Sequence, residues 1–384
     1  TGNGGDLNIG TGGIDVGGFD ITGMDNIITT GDISANNLSA NNRISAGGAI
    51  IGGGGTHTLS AFAIDAANGL SYNGASGASG GNVTITANSL LFDSTAGGIN
   101  GANLNGGDAS TLSLNLAGGD GGTLTLGTAT APIVGNVTIN APISATTGAN
   151  TLSLTTGGNG GTLNVDAGGT VAVSSTIKVS DNAGARASNS GGRILVNSRK
   201  TSGTAISVAS SAQLLSLLSA AAPGAGGTIK FTSAGGAINM NGTARADRGN
   251  VELTNNGAAG VVNVNNATLH ANTVKIGALG NNGTLNVGGG TIDANNVIHL
   301  YAGGSNGTVN FTDNVTLSGN SVKTIAGDTV NIFNGKVVTV NGTGPASVFT
   351  NHANYSGFGG NGSTTGTFGG QGATTQALSG APGY

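Results

Sequence analysis

The chain has 384 residues, of which 7% are charged and 3% aromatic, with no cysteine or tryptophan and a formal net charge of −4. Glycine (76) and asparagine (47) make up about a third of it, which excludes a helical bundle because glycine costs about 1 kcal/mol at each helix-interior position. The low charge excludes a disordered polyelectrolyte, the negative balance argues against a nucleic-acid partner, and no apolar run approaches the ~20 residues needed for membrane insertion.

The first half contains short runs in which apolar and polar residues alternate. Such runs begin at Asn82, Thr111, Gly122, Asn136 and Gly161. Alternation with a period of two predicts β-strands. The glycines and asparagines between them predict tight turns, because both residues tolerate positive φ.

Residues 210–222, SSAQLLSLLSAAA, depart from this alternation. Leu214, Leu215, Leu217 and Leu218 have helical spacing, a Ser and a Gln have the spacing of a capping box, and Pro-Gly follows. The segment therefore predicts a short helical interruption. We expect it to pack on the flank of the strands, with contact to a neighbouring subunit as the alternative.

The second half repeats with a period of about 23 residues. Units begin at Asn250, Asn272, Asn296 and Asn320, and each holds three short alternating runs. The first runs begin at Val251, Val274, Val297 and Val322, the second runs contain Val262, Leu285, Val309 and Val330, and the third runs contain Leu269, Ile292, Leu317 and Val340. A fixed period of this length predicts a solenoid. Three strands in about 23 residues fit one coil of a parallel β-helix better than a propeller blade, and we place this solenoid at residues 1–340.

Asparagine recurs at one corner of the predicted coils, in a pattern of Ala or Gly, then Asn, any residue, and Val or Leu. Stacked amides can form a hydrogen-bonded column along a β-structure. We predict such an Asn ladder from Asn272, Asn295 and Asn320.

Residues 341–384 form an extended Gly/Thr/aromatic tail in this interpretation, and no Asp, Glu, Lys or Arg occurs after position 336. Five aromatic residues at intervals predict anchors that dock the tail on its own subunit or on a neighbouring one, as an added strand. These predicted assembly anchors are Phe349, Tyr355, Phe358, Phe368 and Tyr384.

The sequence offers no catalytic, cofactor-binding or metal site. The four histidines lack zinc-ligand spacing, and glycine-rich stretches such as Gly52–Gly55 lack the Lys-Ser/Thr of a phosphate loop. His270 and Asp293 lie one coil apart, which could indicate a catalytic dyad but more simply predicts an exposed ion pair. A polysaccharide-cleaving β-helix would need clustered carboxylates in an outer groove, and the 16 acidic residues are dispersed.

The runs GTLNV, GGRILVNS, AGGAINMNGTARADRGNVEL and GNNGTLNVGGGTIDANN resemble the filamentous-haemagglutinin-like exoproteins of Gram-negative bacteria, in their C-terminal regions. The resemblance is densest from about residue 190 to the end. It implies two-partner secretion, a right-handed parallel β-helix, a location outside the cell or on the bacterial surface, and roles in adhesion, coating or matrix. The NPNG-type motif of the family's secretion domain is absent from this sequence.

Taken together, these patterns predict an all-β protein whose β-solenoid has a structural role. We expect it to be secreted and to self-assemble end to end into an extracellular filament or biofilm matrix, without enzymatic activity. The alternative is a monomeric surface adhesin that binds cell-surface glycans through an outer face, and a carbohydrate-active enzyme is the third possibility.

Overall fold

The structure is a computed structural model of the 384-residue chain. It describes residues 5–10, 12–16, 19–95, 97–108, 118–148, 158–179, 190–218, 225–333, 335–341, 348–351, 354–355 and 365–369.

The described residues are all β-structure with no helix, and their strands pair in parallel from one coil to the next, with one exception at the C-terminal end. The fold is therefore a parallel β-helix, as the repeats predict. The described part of the chain accordingly contains no helix that is long and apolar enough to cross a membrane. The chain divides into two compact units, residues 1–196 with 213–227 (unit 1) and residues 197–212 with 228–384 (unit 2).

The strands of unit 1 are short. They are β1 (Leu7–Ile9), β2 (Ile14–Asp15), β3 (Ile21–Thr29), β4 (Ile33–Ser34), β5 (Asn37–Ala46), β6 (Ile50–Ile51), β7 (Thr56–Ser60), β8 (Ala63–Ala66), β9 (Leu70–Ser71), β10 (Asn82–Thr86), β11 (Leu90–Phe92), β12 (Ala102–Asn103), β13 (Thr123–Leu126), β14 (Val137–Ile139), β15 (Ile143–Ser144), β16 (Thr162–Ala167), β17 (Val171–Val173), β18 (Thr176–Lys178), β19 (Arg193–Ser198) and β21 (Gln213–Ser216).

Coil length varies widely within unit 1. Asn26 pairs with Arg43, 17 residues further on, whereas the side chain of Asn140 reaches Asp93 across 47 residues. Glycines close the coils where extra residues are accommodated: the amide of Gly119 donates to the carbonyl of Gly107 at 2.9 Å, and a Cβ at either position would collide with backbone of residues 75–78. Backbone approach this close requires glycine.

The interior of unit 1 is apolar apart from a few polar side chains. His57 points inward at the position that Val83 and Leu124 occupy in the next two coils. Its ring lies 4.7 Å from the ring of the fully buried Tyr72, and its two nitrogens lie 3.0 and 3.1 Å from backbone carbonyls of Asn36 and Gly53.

The predicted helix at 210–222 is wrong in the part that the structure describes. Residues 213–216 form β21, which pairs in parallel with β18 so that Leu214 lies beside Ile177. Leu214 and Leu218 are buried and Leu215 is half-buried, so the segment alternates with a period of two. Pairing with β18 overrides the helical spacing, because it satisfies the backbone hydrogen-bonding groups and buries Leu214 at the same time.

The strands of unit 2 are longer, because several continue around corners of the coil. They are β20 (Thr204–Val208), β22 (Thr228–Ser233), β23 (Ala237–Met240), β24 (Thr243–Asn255), β25 (Val261–Ala278), β26 (Thr284–Ala302), β27 (Thr308–Phe311), β28 (Val315–Ala326), β29 (Thr329–Ile332), β30 (Val337–Asn341), β31 (Val348–Asn351), β32 (Asn354–Tyr355) and β33 (Thr365–Gly369).

Unit 2 confirms the repeat of about 23 residues with three runs per coil. The predicted second and third runs pair in register, Leu285 with Val309 and Ile292 with Leu317 for example, and all are buried. The first runs need one correction: Ile298, not Val297, stacks between Val274 and Val322. The register shifts there because Asn295 and Asn296 together oppose the single Asn272 of the preceding coil.

The coil pattern continues into the predicted tail. Strand β31 pairs in parallel with β28, and β32 pairs in parallel with β29. Strand β33 then pairs with β30 in the antiparallel direction, Thr339 beside Thr367. The tail backbone therefore docks on the chain's own last coil.

Candidate functional site

The candidate site consists of outward side chains of unit 2 that stack in columns across successive coils. In β25 and β26, buried residues alternate with exposed or half-buried ones, so equivalent outward positions come to lie one above another. Neighbouring parallel strands are about 4.8 Å apart, which sets the spacing along each column.

The second runs carry a column of five asparagines, called here the Asn column: Asn239, Asn263, Asn286, Asn310 and Asn331. Each asparagine after Asn239 donates its side-chain amide to the side-chain oxygen of the preceding one, at 2.7–2.9 Å. The column is half-buried and uncharged. Sequence reasoning missed it, although a signal exists: an asparagine lies between the two apolar residues of each second run.

The predicted Asn ladder lies at the corner where the register shifts. Asn272 is half-buried, whereas Asn295 and Asn320 are exposed. The amide-to-amide hydrogen bonds of the Asn column lie on another face of the coil, and stacking of the three predicted residues stays a prediction.

The third runs carry a column of five threonines and, beside it, a charged cluster. The threonines are Thr243, Thr268, Thr291, Thr316 and Thr339, in register. In the cluster, Nδ1 of His270 lies 2.8 Å from Asp293 and Nε2 lies 3.8 Å from Asp247, which also accepts a hydrogen bond from Arg245 at 2.7 Å. The predicted contact between His270 and Asp293 is therefore formed, and the neighbouring charges compensate one another.

The first runs carry a column of mostly basic residues, in the order Lys230, Glu252, Lys275, His299 and Lys323. Glu252 pairs with Lys230 at 3.1 Å. The three residues that follow, called here the basic column (Lys275, His299 and Lys323), occupy consecutive coils. Both lysines are exposed and His299 is half-buried.

The pKa of His299 reflects its burial and its position between the two lysines of the basic column. Burial lowers the pKa of His299 below its ordinary value, and the charges of Lys323 and Lys275 lower it further. Tyr301 lies two residues along the same strand, on the same outward face, and is 38% exposed. The arrangement places cationic groups beside an aromatic ring, which can bind an anion and stack on a flat ligand.

The predicted tail anchors are only partly covered by the structure. Phe349 lies in β31, Tyr355 in β32 and Phe368 in β33, so the backbone at these positions is paired with the last coils. Phe358 and Tyr384 lie outside the described residues. Docking by the aromatic side chains stays a prediction.

Among the described residues, no group of three or more His, Asp or Glu side chains could hold a metal ion. A catalytic arrangement would also need a nucleophile or an oxyanion donor beside a base, and the contacts of His270 join it to carboxylates. The chemistry that these columns offer is hydrogen bonding, charge and stacking.

Comparison with known proteins adds no relative: no family model matches the chain, no curated protein matches it, and no solved structure matches it.

Proposed function

We propose that this protein is a secreted structural protein that self-assembles through its coil edges into an extracellular filament or surface matrix. The observation that carries the proposal is that the described strands of the first and of the last coils each pair on one side only. Within the described residues, β1 and β2 pair only with β3 and β4, and β31 and β32 pair only with β28 and β29. Strands with one free side are templates for pairing with another chain.

The charge of the first coils favours head-to-tail pairing. Asp6, Asp15, Asp20 and Asp25 all precede the first cation, Arg43. Two first coils that faced each other would bring these carboxylates together, whereas the last coils contain no charged residue after Lys336. Head-to-tail contacts that do not close into a ring generate open filaments.

An exposed aromatic residue lies beside the first coil. Phe19 is 76% exposed, and its carbonyl accepts a hydrogen bond from the amide of Asn36 in the next coil. Pairing with a second copy would remove this ring from water, which is favourable. In this proposal β33 docks on its own subunit, and the incoming chain pairs with the sides of β31 and β32 that no described strand covers.

The proposal is tested by blocking the first edge. Asn8 is the central, exposed residue of β1, and proline there removes a backbone donor in a type of strand that tolerates it. Sedimentation velocity over a dilution series should reveal large assemblies for the unaltered chain and for Asn8→Ala, and mainly single subunits for Asn8→Pro. Equal assembly by both variants, with unchanged circular dichroism, would refute pairing at β1.

A second candidate, a surface adhesin for glycans, is favoured by the outward columns of unit 2. The Asn column presents ordered amides, and Tyr301 presents an aromatic ring beside cations. Amides and aromatic rings are groups that ligand-binding sites use. Both candidate functions include a location outside the cell and fit the resemblance to filamentous-haemagglutinin-like exoproteins, and we propose both of these points as well. Neither candidate function includes catalysis.

A further inference from the structure

The basic column is unusual for this chain. Only 12 of the 384 residues are Lys or Arg, yet two of the lysines flank a histidine in three consecutive coils. Among the described residues, the ion pairs involve other cations: Arg43, Lys230, Arg245 and Lys336 each pair with a carboxylate. Lys275 lies beside Glu252 in register, but that carboxylate binds Lys230 on its other side.

This arrangement does not favour folding. Burial, and after it the charges of Lys323 and Lys275, lower the pKa of His299. Protonation of His299 would place three cations on consecutive coils, and like charges directly opposite each other on neighbouring strands are destabilising. The other outward columns avoid it: the Asn column is uncharged, and Arg245 and His270 have Asp247 and Asp293 beside them. A bound anion would relieve the repulsion along the basic column.

The shape of the column limits what that anion is. With coils about 4.8 Å apart, the three basic groups form a line about 10 Å long and one residue wide. Such a line fits a linear polymer with regularly spaced anionic groups. Tyr301 adds a ring for stacking on the same face, and the neighbouring coil presents Leu279, which is 48% exposed.

We propose that the basic column, with Tyr301, binds a linear acidic polysaccharide whose anionic groups are carboxylates or sulfate esters. The charged groups contact the ammonium groups of Lys275 and Lys323 and the imidazole of His299, and a sugar ring stacks on Tyr301. This inference deepens the second candidate function and is independent of edge pairing. A nucleic acid fits less well, because three cations neutralise few phosphates and the protein as a whole is negatively charged.

The site also implies a direction of pH dependence. His299 contributes a positive charge only when protonated, and a bound anion favours that form. The charged groups near it are Lys275 and Lys323 on the adjacent strands, with Glu252 and Lys230 beyond them, and Val297 and Tyr301 flank it on its own strand. Binding should therefore tighten as the pH falls from 8 to 5.5.

The experiment measures binding of the full chain to polygalacturonate, to dextran sulfate and to neutral dextran by affinity electrophoresis. Preference between the two acidic polymers identifies carboxylate or sulfate as the anion. The double variant Lys275→Ala/Lys323→Ala should lose about tenfold in affinity, whereas the control Lys178→Ala/Arg193→Ala, which removes the same net charge outside this column, should stay within about twofold. Tyr301→Ala should weaken binding of both acidic polysaccharides.

Three results would overturn the inference: equal losses in the two double variants, no binding of either acidic polysaccharide at pH 5.5, or tighter binding of single-stranded DNA than of either polymer. Circular dichroism confirms that each variant is folded. Sedimentation velocity of the same samples separates this outcome from the first proposal, since loss of polysaccharide binding with assembly intact refutes only the basic column.

Discussion

Asn286 holds a central position in the Asn column, because it donates its side-chain amide to Asn263 and accepts from Asn310, both at 2.8 Å. Its two neighbours would each lose a partner if the amide were removed. Amides that stack in this way also fix the register of one coil on the next, since every coil offers the same donor and acceptor.

The first prediction compares the Asn column with the predicted Asn ladder. Asn286→Ala should lower the free energy of unfolding by about 1–2 kcal/mol, because half-buried polar groups are left unpaired. Asn295→Ala, the matched change at an exposed corner, should stay within about 0.5 kcal/mol. Urea unfolding measures both, and a larger loss for Asn295→Ala would instead support the ladder at the corner.

The second prediction concerns Tyr72, whose side chain is fully buried and whose hydroxyl has no hydrogen-bond partner. Burial raises the pKa of this phenol far above its usual range, so it stays neutral. Tyr72→Phe removes an unsatisfied polar group and should raise the free energy of unfolding by up to about 1 kcal/mol. A loss of more than 1 kcal/mol in thermal unfolding would contradict the unpaired hydroxyl.

The third prediction is a pH dependence from His299. Its pKa is lowered in the folded chain, so the unfolded chain binds the proton more readily, and stability falls as the pH drops through 6.5 towards the folded value. His299→Gln should flatten the change in unfolding midpoint between pH 7 and pH 5. A slope equal to that of the unaltered chain would contradict the assignment.

Asp313 affects stability in a different pH range. Its pKa is lowered by a hydrogen bond with Lys336, so its protonation changes the free energy of unfolding only below about pH 4.

At the scale of the elements, the sequence predicts both the strands of unit 2 and their pairing. For unit 1 it predicts that strands occur, but not which strands pair. Runs such as Thr284–Val287 and Thr308–Phe311 repeat at nearly constant spacing, so their pairing follows from the period. The pairing of Leu90 with Val137 could not be predicted, because extra residues between coils change the spacing without changing the alternation. The helix predicted around residues 213–216 was wrong for a related reason. The strand β18 that pairs with these residues is too distant in sequence to enter a local pattern.

The candidate site was predicted only in part. The contact between His270 and Asp293 follows from the 23-residue offset. The basic column does not, because Lys275 and His299 are 24 residues apart across the register shift at Asn295 and Asn296, and a strict period places them in different columns.

The fourth prediction addresses strand β33, which covers the free side of β30. Removal of residues 357–384 deletes β33 and keeps β31 and β32, so it exposes one more edge for pairing. The shortened chain should assemble at lower protein concentration than the full chain in light scattering. Loss of assembly would mean that this strand connects subunits instead of covering an edge.

At the scale of the whole molecule, the described strands pair from coil to coil, and the outward columns of unit 2 differ in chemistry. The carboxylates of the first coils oppose pairing of two first coils, and the basic column offers a separate place for an acidic polymer. A filament that also binds polysaccharide would have the properties of a surface matrix.

The most direct test of self-assembly is negative-stain electron microscopy of the full chain across a dilution series. We expect filaments that shorten on dilution, and X-ray fibre diffraction from the same filaments should give an axial reflection near 4.8 Å, the spacing of stacked parallel strands. Single particles at every concentration, from protein that remains folded, would contradict it.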